Sequence, residues 1–116
     1  MIVAVQGTND FDDYNVFLRA ISVALSDMAD DDKQVVIYSV GPANINSFVS
    51  QFSNISERSF KARGKKVKYF KVPQSFVEEQ IGNIDYFAFL SKPKQPVSRL
   101  TKLAEDANIE VGIFQY

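Results

Sequence analysis

The chain has no histidine, no cysteine and no tryptophan among its 116 residues. Without the first two there is no Ser-His or Cys-His nucleophile pair, no imidazole base, no disulfide, and no zinc site of the usual nitrogen and sulfur kind. Charge of one sign does not prevail either: thirteen Lys and Arg stand against fourteen Asp and Glu, a formal net charge of −1. A chain so balanced exerts no long-range pull on nucleic acid or anionic lipid. Long hydrophobic runs are also missing. The apolar run Met1 to Val5 stops after five residues and lacks a basic flank, too little for a signal peptide or a membrane span. A cytoplasmic protein with no membrane partner is expected, and a chain without cysteine suits a reducing compartment.

What remains for chemistry is carboxylates, Lys, Arg, Tyr, hydroxyls and backbone N–H groups, a set better suited to holding a ligand than to transforming it. No cofactor and no metal ion is expected. The three adjacent acids of Asp30-Asp31-Asp32-Lys33 lack the alternating ligands and the glycine of a calcium loop, and read as a solvated turn.

With 46% hydrophobic residues in a chain of this length, one domain over residues 1–116 is expected. Five short apolar or β-rich runs, Ile2–Val5, Val35–Tyr38, Val67–Val72, Tyr86–Leu90 and Val111–Phe114, alternate with stretches of helical spacing. Tyr14, Phe17, Leu18, Ile21, Leu25 and Met28 form one such stripe, with Asp10 or Asp12 as the expected cap. Ile45, Phe48, Val49, Phe52 and Ile55 form a second after Gly41-Pro42. Val97, Leu100, Leu103, Ala104 and Ala107 form another after Pro96, the expected first helical residue. Between Pro73 and Gly82 there is room only for a short helix around Phe76, Val77 and Ile81.

Strands alternating with helices pack as a parallel sheet covered on both faces, so the expected fold is a three-layer α/β sandwich. The first and fourth runs are nearly unbroken apolar, as central strands are, whereas Lys66, Lys68 and Lys71 mark the third as an edge. The expected strand order is therefore 3-2-1-4-5. Its switch point lies between the first and fourth strands, where open α/β sheets hold ligands beyond the strand C-termini. Gly7–Asp12 and Ser91–Gln95, flanked by Ser39–Asn44, then form the candidate site.

The loop Gly7-Thr8-Asn9-Asp10-Phe11 offers a turn glycine, a hydroxyl and the free N–H groups of a following helix, which together hold anions. The alternative is an ordinary strand-to-helix turn, and the acids at Asp10, Asp12 and Asp13 oppose a phosphate. Charge is also divided along the chain: residues 1–57 hold eight acids and two bases, and residues 58–116 eleven bases and six acids. Arg58, Lys61, Arg63, Lys65, Lys66, Lys68 and Lys71 fall in a stretch with no acid, interleaved with Phe60, Tyr69 and Phe70. Three readings of this strip stand: a nucleic-acid stripe with stacking rings, a solvated edge guarded against aggregation, and a contact for the acidic region of a second copy. Nucleic-acid binding is expected to be weak at most, because the acidic first half repels the same polyanion.

The residues Val3-Ala4-Val5-Gln6-Gly7-Thr8-Asn9-Asp10-Phe11-Asp12-Asp13-Tyr14 resemble the opening of the small single-domain members of the SLOG superfamily, the Rossmann-like group that includes the DprA/Smf and LOG proteins. The close is similar too, in Asp85-Tyr86-Phe87-Ala88-Phe89-Leu90 and Leu103-Ala104-Glu105-Asp106-Ala107-Asn108-Ile109-Glu110-Val111. The resemblance implies a Rossmann-like fold and a nucleotide or nucleotide derivative bound at the strand C-termini. The residues it and the switch point single out are Gly7, Thr8, Asn9, Asp10, Phe11, Ser39, Gly41, Asn44, Asn46, Ser91, Lys92 and Lys94. Three departures bear on activity. Asn9 stands where small members have Arg, and Val40-Gly41-Pro42-Ala43-Asn44-Ile45-Asn46 keeps one glycine of a richer pattern. The loop Ser91–Ser98 has no glycine to bring backbone close to a phosphate. The expected function is thus non-catalytic binding of a nucleotide-derived small molecule, its anion against the first helix near Gly7 and Thr8. The alternative is a degenerate relative that acts as a structural or protein-interaction subunit, and a second copy of the chain is an expected partner in either case.

Overall fold

Each of the five runs forms a strand in the computed structural model, which describes residues 1–115. The strands are β1 (Ile2–Gly7), β2 (Gln34–Gly41), β3 (Lys66–Lys71), β4 (Tyr86–Ser91) and β5 (Glu110–Gln115). They pair in parallel in the order β3-β2-β1-β4-β5. The helices between them are α1 (Tyr14–Leu25), α2 (Ala43–Ala62), α3 (Gln74–Glu79) and α4 (Arg99–Asp106), with a 3-10 turn at Ile81–Asn83. The fold is a three-layer, Rossmann-like α/β sandwich.

Alternation along the strands divides the core. Val3, Val5, Val35, Ile37, Ala88 and Leu90 point to one face and pack against Phe17 and Ile21 of α1 and Ile45 and Val49 of α2. Ala4, Phe87 and Phe89 point to the other, against Val77 of α3 and Leu100 and Ala104 of α4. All six residues of β4 are buried, as its apolar run requires, and none of β3 is. No helix among the described residues is long and apolar enough to cross a membrane.

Three local expectations need correction. Asp13, not Asp10 or Asp12, caps α1, its carboxylate accepting the Val16 N–H at 3.1 Å. The Phe11 N–H donates to the Thr8 carbonyl at 3.1 Å, so a tight turn spends residues 8–11 before the helix can begin. Pro96 likewise precedes α4, whose cap is the Ser98 hydroxyl bonded to the Thr101 N–H at 3.1 Å. In α2, Ile55 is 68% exposed, because at 100° per residue it falls about 125° from the mean direction of the buried Ile45, Val49, Ser53 and Phe60. Ser53 and Phe60 complete the buried stripe instead.

Candidate functional site

Parallel strands deliver their C-termini to one edge, and β1 lies between β2 and β4 there, so the loops after these three strands are neighbours. Gly7 pairs with Leu90, and the Thr8 N–H donates to the Leu90 carbonyl at 3.0 Å, which ties the first loop to the end of β4. From that anchor a polar network closes. The Thr8 hydroxyl lies 2.8 Å from Asp10 Oδ1 and 3.0 Å from Gln95 Oε1, donating to one at a time. Gln95 Nε2 donates to both Asp10 oxygens at 3.2 and 3.1 Å, while Gln95 Oε1 accepts the Lys92 N–H at 2.8 Å. Lys92 Nζ reaches Asp12 Oδ1 at 3.2 Å. The Thr8 hydroxyl is the main influence holding the Asp10 carboxyl below the usual carboxylate range, against some desolvation and with help from Gln95 and Lys92.

On the other side of β1, the Asn44 amide donates to the Phe11 carbonyl at 3.2 Å, and the Ser39 hydroxyl donates to Asn46 Oδ1. Together these bonds join the first turn of α2 to the β1 loop and to the end of β2. Gly41 holds φ at +99°, a left-handed conformation that glycine enters without a Cβ penalty, and this turns the chain from β2 into α2.

The structure brings Gly7, Thr8, Asp10 and Lys92 together, and Ser39, Asn44 and Asn46 beside them. Phe11, expected at the ligand, is wholly buried in the core with its ring among apolar side chains. Ser91 is also fully buried, without a partner for its hydroxyl, and its alternation with Phe87 and Phe89 turns it to the α3 and α4 face. Asn9 is exposed, and Lys94 is exposed with φ at +68°. Gly7 leaves room for protein rather than for ligand: a Cβ there would lie 2.7 Å from Ile45 Cγ1 and 2.8 Å from Cδ1. Gln95 was legible only as the end of a loop, yet it links Thr8, Asp10 and Lys92; no periodicity marks such a residue, since Thr8 and Asp10 come from eighty and more positions away.

This arrangement bears on where an anion can sit. The first turn of α1 is capped by Asp13, with Asp10 and Asp12 just before it, so its positive end is already answered by carboxylates. The first turn of α2 has Pro42 as its N-cap and no side-chain cap. Comparison with protein-family models and with curated proteins finds no match for the chain.

Proposed function

We propose that this chain is a non-catalytic binding domain that takes the anionic group of a nucleotide or nucleotide derivative at the C-terminal edge of the sheet, against the first turn of α2. The uncapped first turn carries this reading. The N–H groups of the exposed Ala43 and Asn44 precede the first intrahelical bond, Asn46 N–H to the Pro42 carbonyl, and the N-cap supplies no side-chain bond to them. At twenty residues α2 is the longest helix of the described chain, and its free N–H groups and positive dipole end favour an anion. The anion therefore belongs on α2 rather than α1, the opposite of what the β1 loop alone suggested. The likeness of Val3–Tyr14, Asp85–Leu90 and Leu103–Val111 to SLOG proteins favours a nucleotide-type ligand over other anions.

The closed Thr8–Asp10–Gln95 network favours a second reading, a degenerate relative serving as a structural or protein-interaction subunit. Here Asp10 takes the hydroxyl and amide donors that a phosphate on the β1 loop would need.

Thermal unfolding with a panel of nucleoside mono- and diphosphates separates the two. A ligand present at 100 times its Kd adds about 2.7 kcal/mol of stability, a readily measured rise in Tm. At least one nucleotide is expected to give such a rise, and Ala43→Glu to abolish it. Ala43 is exposed at the first helical position, so the new carboxylate repels the anion while itself stabilising the helix by about 0.3–1 kcal/mol. No rise with any nucleotide overturns the binding reading in favour of the second.

A further inference from the structure

The strand at one margin of the sheet, β3, pairs only with β2. The Lys66 N–H donates to the Lys33 carbonyl and the Val72 N–H to the Ser39 carbonyl, each at 2.9 Å. Alternate residues of a parallel strand bond to the same neighbour, so Lys66, Lys68, Phe70 and Val72 face β2 with their backbone. Val67, Tyr69 and Lys71 then turn their N–H and C=O groups outward, where the sheet ends. Unpaired edges of this kind are templates for another strand.

Side chains along the edge differ by face. Lys66, Lys68 and Phe70 lie exposed on the face away from α2, Phe70 at 50%. On the α2 side two hollows open beside the strand. One, of about 480 Å³, is lined by Lys61, Lys65 and Val67, with Glu57 on its wall, and reaches round the strand edge to Lys66 and Lys68; the other, of about 610 Å³, is lined by Ser50, Asn54, Tyr69 and Lys71. Their positions at Val67 and at Tyr69 to Lys71 follow the two-residue period of a strand, so alternate side chains of an added strand would meet them.

The occupant follows from charge. Of the seven bases in residues 58–71, Lys65 is spent internally, its ammonium bonded to the carbonyls of Ala29, Asp30 and Asp32, and Arg63 lies over the Phe60 ring at 5.0 Å. Lys66, Lys68 and Lys71 remain exposed on β3 with no carboxylate in salt-bridge reach among the described residues. Of the three rings in the strip, Phe60 is buried and the Tyr69 hydroxyl is 3.0 Å from Ser50 Oγ, which leaves Phe70 alone to stack a base. The unpaired backbone suits a peptide better than a nucleic acid. A second copy joined through the same edge would set lysine against lysine.

We propose that β3 is a docking edge for an extended acidic segment of another protein, added as a sixth strand. Its carboxylates meet Lys66 and Lys68 on one face, and its alternate side chains enter the two hollows. Main-chain bonds supply affinity and the hollows supply selectivity.

A short fluorescent peptide of alternating Glu and Val, titrated by anisotropy, tests this on the full chain. It is expected to bind with an affinity that falls with salt, and a central proline in the peptide is expected to weaken it about tenfold or more by removing main-chain bonds. Lys66→Glu with Lys68→Glu should abolish binding. Lys71→Pro removes an outward N–H without touching the β2 ladder, and is expected to weaken binding about tenfold, against about twofold to fivefold for Lys71→Ala. Amide exchange on the unmutated protein provides the check that does not depend on a variant folding: the Val67, Tyr69 and Lys71 N–H groups should slow when peptide is added. Equal binding of the proline peptide, unchanged exchange at those amides, tighter binding of oligothymidylate than of peptide, or an edge already closed by a second copy in sedimentation would each overturn the proposal.

Discussion

One methyl group separates the present packing of α2 on β1 from a strained one. Gly7 does not hold a positive φ; it is glycine because the Ile45 side chain occupies the place of its Cβ. Gly7→Ala is therefore expected to destabilise the fold by about 1–3 kcal/mol through overpacking. Ile45→Ala alone is expected to cost about 2–5 kcal/mol. Because the two changes relieve and create the same clash, the double variant should cost less than their sum, which urea unfolding of the four proteins will read. Gly112 obeys the same logic at β5, where an added Cβ would overlap the Tyr86 hydroxyl and lie 2.6 Å from Phe114 Cε2. Both glycines serve intramolecular packing. From the sequence alone Gly7 carries the stamp of an anion loop, since a glycine that admits a ligand and one that admits a side chain are the same letter.

Among the elements, the helix starts show how strongly tertiary constraint governs local chemistry. The run Asp10-Phe11-Asp12-Asp13 offers three acids to cap α1, and burial of the Phe11 side chain selects the last of them. Asp13→Ala is expected to cost about 1 kcal/mol, the usual worth of an N-cap. Asp12→Ala should cost less, because it breaks only an exposed pair with Lys92. Urea midpoints of the two variants give the comparison, and equal losses would show that the acids share the cap. The connection between β3 and the turn that precedes β2 is governed in the same way. Lys65, one of seven bases within fourteen residues that read as a ligand strip, instead ties the start of β3 to the 29–32 loop through three carbonyls. A lysine bound for solvent and one bound for the carbonyls of a distant turn cannot be told apart by composition.

At the level of the whole molecule, the lack of histidine means that no imidazole makes stability vary between about pH 5 and 8. The alkaline side differs. Tyr86 is buried, and that burial, helped by the carboxylates of Glu110 and Asp27, raises its phenol above the usual range. The native state then keeps a proton that the unfolded chain releases near pH 10, so stability present below that pH is lost as pH rises toward the folded value. Denaturant unfolding at pH values from about 8 to 11 should show this fall, and Tyr86→Phe should make it shallower. An unchanged slope in Tyr86→Phe would assign the alkaline loss to other groups.

The sequence by itself determined the alternation of strands and helices, the order 3-2-1-4-5, and the central place of β1 and β4. These follow from burial, which is written in runs and periods: a strand covered on both faces must be apolar throughout, and one at the margin carries lysines. Only the tertiary structure decided which polar groups at the sheet edge are free. Thr8, Asp10 and Gln95 satisfy one another, Ser39 satisfies Asn46, and Asn44 is held by the Phe11 carbonyl, while the first turn of α2 is left without a cap. Hydrogen bonding needs a donor and an acceptor within about 3 Å, and the chain separations involved, from two residues to more than eighty, leave no period or motif from which that closeness can be read.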